Sequence, residues 1–586
     1  MLAHHFVGDR RFLISACVIF SGCASAFSDG QAFLSRCEIP GVSGQAKCGT
    51  YEVWENRDAK RGRRIALKVV VVPATGSRTT SDALTYLGGG PGDAATHVAP
   101  YLAKQFAALR EHRDILLVDQ RGTGGSHALE CDLYPGKDAQ TALGAFFPAD
   151  RVRVCRAALE KTADLGLYTT AAAMDDLDEV RGALGYDRLD VFGASYGTRA
   201  ALVFIRRHPD RVRTAVLQGV APTYDPIPLN FPQYAQHAID KLFADCERDA
   251  ACHATFPNLS GDLRAIVARA AAHPVPVHIL DPATGDPVRV LLSRDLLGEA
   301  LRYLMYQSGS ALYVPLLVHQ AAAGDFAPLT EFALGSRRQV VNSVGQGLYL
   351  SVTCSEDLPF ISSADAERAA ANTFLGDYRF QQQRSACAAW TRGAVPADLR
   401  QPVRADTPVL LFSGTWDPVT PPGNAAKVAA SLPRSLPVVI PSGGHSYDGL
   451  QGADACVAAI TGQFVERADP AGVDTSCVER VRRPPFPTKP LETKAMPLSA
   501  AQSAALTGRY IGTGAPPLDI RLVNGKLTGR LEGQQDWLVL VPVSPTRLRL
   551  LGPVGSYLDV EMGEGRARRV TLQQAGVPVL TWTRGS

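Results

Sequence analysis

Short apolar runs alternate with stretches of helical periodicity along the first third of the chain. Tyr51 to Trp54, Ile65 to Val72, Ala83 to Leu87, Ile115 to Val118, Leu189 to Phe192 and Thr214 to Leu217 read as strands. Pro73 stops the second of them, because proline brings no N–H to a ladder. Ile115 to Val118 is apolar on both faces, as a strand covered on both sides by helices must be. Thr170 to Leu184 and Thr198 to Arg207 carry the helical pattern between strands. This alternation predicts an α/β fold built on a doubly wound, mostly parallel sheet.

From about Ala221 the pattern changes. Pro222, Pro226, Pro228 and Pro232 crowd together, and helical spacing then dominates. Ser293 is placed to cap a helix carrying Leu296, Leu297, Ala300, Leu301 and Leu304. The stretch 221–404 is therefore expected to be a mostly helical cap inserted into a core made of 40–220 and 405–480. The sheet pattern resumes at Val409 to Phe412 and Leu436 to Ile440. Residues 481–500 hold prolines at 484, 485, 487, 490 and 497, the composition of an extended linker. In 501–586 the period drops to two, and Asn524-Gly525 turns between Leu518–Leu522 and Leu527–Leu531. A small all-β domain is expected there.

Composition changes this picture little. The 586 residues are 46% hydrophobic and 20% charged, ordinary for globular protein. A net charge of +3 with no basic stripe excludes a nucleic-acid partner. The N-terminus adds a destination. Arg10 and Arg11 precede the apolar run Phe12 to Phe20, and Ala24-Ser25-Ala26 offers a small-residue cleavage site, so 1–26 reads as a signal peptide for export to the periplasm or beyond. Phe20-Ser21-Gly22-Cys23 also fits a lipid anchor at Cys23, the alternative reading. Two of the 12 cysteines fall in this segment. The other ten suit disulfides in an exported chain, and neighbour pairing (37–48, 131–155, 246–252, 354–387, 456–477) is the simplest connectivity. The rival is zinc. No Cys-x-x-Cys or His-Glu-x-x-His occurs, so no metal and no cofactor is expected.

Candidate chemistry centres on Gly193-Ala194-Ser195-Tyr196-Gly197, between a strand and a helix. Glycine, any residue, serine, any residue, glycine in that setting is a nucleophile elbow, with the small residues letting strand and helix approach closely. Gly88-Gly89-Gly90-Pro91-Gly92 follows an earlier strand and frees backbone N–H groups to face a ligand, half of an oxyanion hole. Asp417 lies just past a late strand, and Pro418, Pro421 and Pro422 stiffen its loop. His445 follows the last core strand behind Gly443 and Gly444. Ser195, Asp417 and His445 stand in the chain order of an α/β-hydrolase triad. Asp119 and Arg121 are expected to pair and fix a loop beside the site, and Asp175, Asp176, Asp178 and Glu179 to form a solvated helix face. His97, His127, His208 and His253 lack this placement and read as surface or structural imidazoles.

These motifs together resemble the exported bacterial serine peptidases of the prolyl and tripeptidyl aminopeptidase group, within the α/β-hydrolase superfamily. The resemblance spans roughly 40–480 and rests on the glycine loop, Asp119-Gln120-Arg121-Gly122-Thr123-Gly124, the elbow, Asp417-Pro418 and Gly444-His445-Ser446. Gly88 departs from the histidine that prolyl aminopeptidases usually carry there. The resemblance implies an α/β-hydrolase core with a helical cap and a TAP-like segment near 380–480.

The implied chemistry is acyl transfer. Ser195 attacks a carbonyl, His445 takes its proton, and Asp417 steadies the imidazolium. The N–H of Tyr196 and one of Gly89 or Gly90 hold the oxyanion. An aminopeptidase also needs carboxylates for the free amino group, and Glu356 and Asp357, next to Cys354, are the candidates. The competing readings are a carboxylesterase acting on small esters, and a non-catalytic protein using the fold as a scaffold. The expected partner is a peptide or small ester.

Overall fold

The computed structural model describes residues 33–585, apart from 79, 135–137, 513–514, 535–536 and 575–576. The expected signal peptide and Cys23 lie outside the described residues. The strands β1 (Leu34–Cys37), β2 (Ala46–Trp54), β3 (Arg64–Val72), β4 (Ala83–Leu87), β5 (Asp114–Val118), β6 (Leu189–Ala194) and β7 (Val212–Gln218) come first. A hairpin, β8 (Val275–Leu280) and β9 (Pro287–Leu292), stands in the insertion. The core then adds β10 (Val409–Gly414) and β11 (Ser435–Ile440). Nine of these form one sheet in the order β1-β2-β3-β5-β4-β6-β7-β10-β11. The pairs from β5 through β11 are parallel, while β1, β2 and β3 form an antiparallel edge that joins β5 antiparallel.

The period-two rule divides the core. Val69, Val71, Leu116, Val118, Val191, Leu217 and Leu411 pack in one apolar cluster. Their neighbours Val70, Val72, Ile115, Leu117, Phe192, Val216, Leu410 and Phe412 pack in another. Successive side chains leave opposite faces of a strand, so these two clusters are the two sides of the sheet. The first is sealed by the helices Thr170–Ala183 and Tyr196–Arg207, the second by Ala453–Arg467.

The insertion has its own apolar centre, gathered from the helices Phe231–Glu247, Leu259–Ala272, Arg294–Leu304, Val314–Ala322 and Ala327–Ser343. Ser293 caps Arg294–Leu304 by accepting the Leu296 N–H. The β8–β9 hairpin interrupts the expected all-helical pattern, with Val275, Val277 and Ile279 alternating inward. The helix Gln346–Glu356, with Phe380, Trp390, Leu399 and Val403, packs in the sheet cluster, while Phe374 and Leu375 between them pack with the insertion.

Five disulfides join Cys37–Cys48, Cys131–Cys155, Cys246–Cys252, Cys354–Cys387 and Cys456–Cys477, the neighbour pairing. The linker is no free spacer. Phe486 is buried and stacks on Trp416 at 6.1 Å. Beyond it, β12 (Gly508–Gly512), β13 (Leu518–Val523), β14 (Lys526–Leu531), β15 (Leu538–Ser544), β16 (Arg547–Leu550), β17 (Ser556–Gly563), β18 (Arg566–Gln574) and β19 (Val577–Arg584) close into an antiparallel barrel. Tyr510, Leu548 and Trp582 fill its interior. The barrel docks on the insertion through the buried Arg549–Glu331 pair, at 2.5 Å, and Tyr313 Oη donating to Gly555 O.

Candidate active site

β6 ends at Ala194, and only Ser195 separates it from the helix Tyr196–Arg207. Ser195 makes this turn at φ 56 and ψ −123, a backbone conformation that an L-residue occupies only under constraint. Its N–H donates to Gln218 O at 2.9 Å, and its carbonyl accepts the Thr198 hydroxyl at 2.6 Å. Glycine is required on both sides. A Cβ at Gly193 would stand 2.5 Å from Gly197 O, and one at Gly197 would collide with the Leu87 carbonyl. The elbow is thus wedged between β4 and β7.

Asp417 and His445 come from the loops after β10 and β11. His445 Nδ1 lies 2.9 Å from Asp417 Oδ2. Asp417 Oδ1 accepts the N–H groups of Val419 and Thr420 at 2.9 and 2.8 Å, and Oδ2 accepts the Thr420 hydroxyl at 2.6 Å. Burial of Asp417 pushes its pKa up. The His445 charge and hydrogen bond, with those of Thr420, outweigh this and hold it below the ordinary carboxylate value. Gly219, at the end of β7, faces the pair: a Cβ there would sit 3.0 Å from Thr420 Oγ1 and 3.1 Å from His445 Cε1. Residues 218 and 219 therefore touch the Ser195 backbone on one side and the imidazole on the other. The structure brings Ser195, Asp417 and His445 to the C-terminal ends of the parallel strands β6, β10 and β11, with β7 between the first two, where α/β sheets gather their ligands.

The insertion grips the histidine loop. Tyr306 O accepts the Ser446 N–H at 2.7 Å, Ser308 Oγ accepts the Gly444 N–H at 2.9 Å and donates to Ser446 O at 3.0 Å, and Gly309 N donates to Asp448 O at 2.8 Å. The Tyr306 ring packs edge-on to His445 with centroids 5.0 Å apart, and the buried Arg302 donates to its hydroxyl at 2.7 Å.

The glycine loop lies against the elbow. The Cβ position of Gly89 is 3.3 Å from Ser195 Cβ and 3.1 Å from Asp93 Oδ2. Gly90 sits beside it at φ 102, and Gly92 O accepts the Gly345 N–H at 3.1 Å. Tyr196 N–H opens the helix next to Ser195.

Glu356 and Asp357 lie elsewhere. Both are buried behind the helix Tyr196–Arg207; protein groups take both Glu356 oxygens and Asp357 Oδ1, while Asp357 Oδ2 has no hydrogen-bond partner among the described residues. Glu356 accepts the Thr170 N–H at 2.6 Å and its hydroxyl at 2.7 Å, and that hydroxyl lies 2.6 Å from Tyr196 Oη. Asp357 pairs with Arg199 at 2.6 Å and accepts the Ile227 N–H at 2.9 Å. Burial pushes Glu356 up to about 7, against the pull of the Thr170 hydrogen bonds. This geometry anchors the helix that carries the elbow and leaves neither acid facing solvent.

Two further expectations change. Asp119 does not pair with Arg121. It accepts Thr96 N–H, the Thr96 hydroxyl and Gly125 N–H, while Arg121 makes a two-pronged contact with Asp176 at 2.6 and 2.8 Å. Asp176 is therefore buried under Arg121 and Arg57 rather than solvated, because only a carboxylate can neutralise a guanidinium that is itself 0% exposed. Thr420, Asp93, Tyr306, Ser308 and Thr170 were not read from the sequence. Thr420 and Asp93 carried a local signal, three residues past Asp417 and one past the glycine loop. Tyr306, Ser308 and Thr170 carried none, since their roles come from contacts over more than 25 residues of chain.

Comparison with known proteins agrees with this geometry. Residues 83–255 match the family described as alpha/beta hydrolase fold, and residues 372–477 match the family described as TAP-like protein. Serine protease Hip1 of Mycobacterium tuberculosis is 31% identical over 230 residues, which is 36% of this chain and 43% of that protein. The chain thus spans less than half the length of this relative. Carboxylesterase B of the same organism is 28% identical over 440 residues, 70% of this chain and 83% of that protein. Tripeptidyl aminopeptidase of Streptomyces lividans is 29% identical over 199 residues, 31% of this chain and 36% of that protein. With its parallel sheet, its strained serine between β6 and the following helix, and both matched segments, the chain has the α/β-hydrolase fold, and its residues 372–477 are similar to the TAP-like family.

Proposed function

We propose that the protein is an exported serine hydrolase that cleaves peptide bonds near free amino termini through Ser195, His445 and Asp417. The observation that carries this reading is the strained Ser195 turn beside the Asp417–His445 contact of 2.9 Å. His445 removes the Ser195 proton as the hydroxyl attacks the carbonyl carbon. Asp417, fixed by three hydrogen bonds from Val419 and Thr420, holds Nδ1 and stabilises the imidazolium. The tetrahedral oxyanion is held by Tyr196 N–H with Gly89 or Gly90 N–H, of which Gly90 is the one that the Asp93 carboxylate does not already engage, each such donor being worth about 10²–10³-fold in turnover. His445 then protonates the departing amine, and water attacks the acyl-enzyme by the same route. Five disulfides support export, because such bonds persist in oxidising compartments.

The second reading is a carboxylesterase, favoured by the relative of that name matched over 83% of its length. Rates on free-amino peptide anilides, their N-acetylated forms and short-chain aryl esters separate the two. The aminopeptidase reading expects free-amino anilides to be cleaved far faster than acetylated ones. Equal rates on both would sink it, and turnover of esters alone would establish the esterase.

A further inference from the structure

Buried acids in this protein are almost all compensated. Asp176 has Arg121 and Arg57, Asp190 has Arg213 and Arg113, Asp357 has Arg199, Glu299 has Arg302, and Glu331 has Arg549. Among the described residues Asp119 and Glu356 form no ion pair, and Thr and backbone donors bond their carboxylates. Asp93 differs. Among the described residues no lysine or arginine forms an ion pair with it, and its Oδ2 lies beside the same glycine that faces Ser195.

The glycine loop explains the placement. Asp93 N donates to Gly89 O at 3.2 Å, folding the chain back on itself. A Cβ at Gly88 would come within 3.0 Å of Asp93 Cβ. The absent side chains let Asp93 lie along the loop, so that its Oδ2 and Ser195 Cβ are both within about 3.3 Å of one point, the Cβ position of Gly89. The groups around it are Gly89 N–H, Tyr86, His97 and His445. Burial pushes Asp93 up to about 6, while the Gly89 hydrogen bond and the two imidazoles pull the other way. A half-buried carboxylate with no fixed cation gains most from a cation that arrives with the substrate.

We infer that Asp93 receives the positively charged amino group of the substrate, which places the scissile bond after a single N-terminal residue. This rests on the aminopeptidase reading above. The register follows from reach. The amino nitrogen and carbonyl carbon of one residue are separated by two bonds, so an ammonium held by Asp93 sets that residue's own carbonyl at Ser195. Release of a tripeptide would need the ammonium two residues further out, about 7 Å away along an extended chain. Asp93 lies too near Ser195 for that register.

The test compares free-amino alanyl anilide with its N-acetylated form in wild type and Asp93→Asn, and measures inhibition of aryl-ester hydrolysis by alaninamide and by N-acetyl-alaninamide. The expected result is a wild-type ratio of kcat/KM favouring the free amine that falls by at least about 30-fold in Asp93→Asn, with loss of alaninamide inhibition. An unchanged ratio overturns the assignment. So does an equal fall on both anilides, which marks a role in holding the loop alone. Should Asp93→Asn fail to fold, wild type decides: equal inhibition by alaninamide and its acetylated form overturns the cation site. Selective alaninamide inhibition without cleavage of any free-amino anilide supports the cation site and overturns the aminopeptidase reading.

Discussion

The helix that begins at Tyr196 has acids on both sides of its N-terminal end, and they live by different electrostatics. Behind it, Glu356 and Asp357 are sealed in the core, Glu356 bonded by Thr170 and Asp357 paired with Arg199 and bonded by Ile227. In front of it, Asp417 is tied to His445, and Asp93 lies at the glycine loop with no lysine or arginine ion pair among the described residues. The rear acids spend their charge on the fold. The front acids are those to which the proposed reaction assigns a partner whose charge changes. An acid read from sequence as catalytic or substrate-binding can therefore be structural, and what decides is whether its partners are already present in the protein.

The largest expected effect is at the front. Ser195→Ala should lower kcat by at least about 10⁴-fold on any substrate the protein turns over, with an unchanged melting temperature, since no partner of the hydroxyl holds the fold. Retained turnover would remove the triad. At the rear the contrast should invert. Asp357→Ala leaves Arg199 buried without its partner and should cost about 3–5 kcal/mol of stability in urea unfolding. A change under about 1 kcal/mol would show that the rear pair is not the anchor described above.

Glu356→Gln sharpens the comparison through pH. Its folded pKa, about 7, lies above the usual value of 4.5, so the folded state holds the proton more tightly than the unfolded one. The associated stability is fully present below about pH 4.5 and is lost as pH rises through 7. The difference in unfolding free energy between wild type and Glu356→Gln should therefore slope across that window, by at most about 1.4 kcal/mol per pH unit for one proton, and be flat outside it. A flat difference throughout would rule out the titration. The smallest effect is expected for Thr170→Val, which deletes the hydroxyl between Glu356 and Tyr196 and should cost about 1–3 kcal/mol. Its influence on turnover should exceed that of a remote core change of equal cost, because Tyr196 carries a proposed oxyanion donor.

Much of the fold was legible in the chain. β3, β4, β5, β6, β7, β10 and β11 stand where short apolar runs put them, within two residues at each end. The barrel hairpin of β13 and β14 turns at Asn524-Gly525 as the dipeptide requires. The β8–β9 hairpin was hidden because two six-residue strands between long helices are a weak signal, although Val275, Val277 and Ile279 do alternate. The linker prolines suggested a spacer, and only the docking of Phe486 on Trp416 revealed a packed strap.

The sequence by itself determined the elbow, the glycine loop, the order of Ser195, Asp417 and His445, and the switch from α/β to all-β near residue 500. Each is a local matter of glycine sterics, proline stiffness or side-chain period, and these act within a few residues. Tertiary structure alone decided which acid faces what. Arg121 reaches Asp176 over 55 residues, Glu356 reaches Thr170 over 186, and the cap's Ser308 reaches the histidine loop over 136. A carboxylate looks the same along a chain wherever it stands. Its role is set by the charges and donors that folding brings to it, and those arrive from far away in sequence.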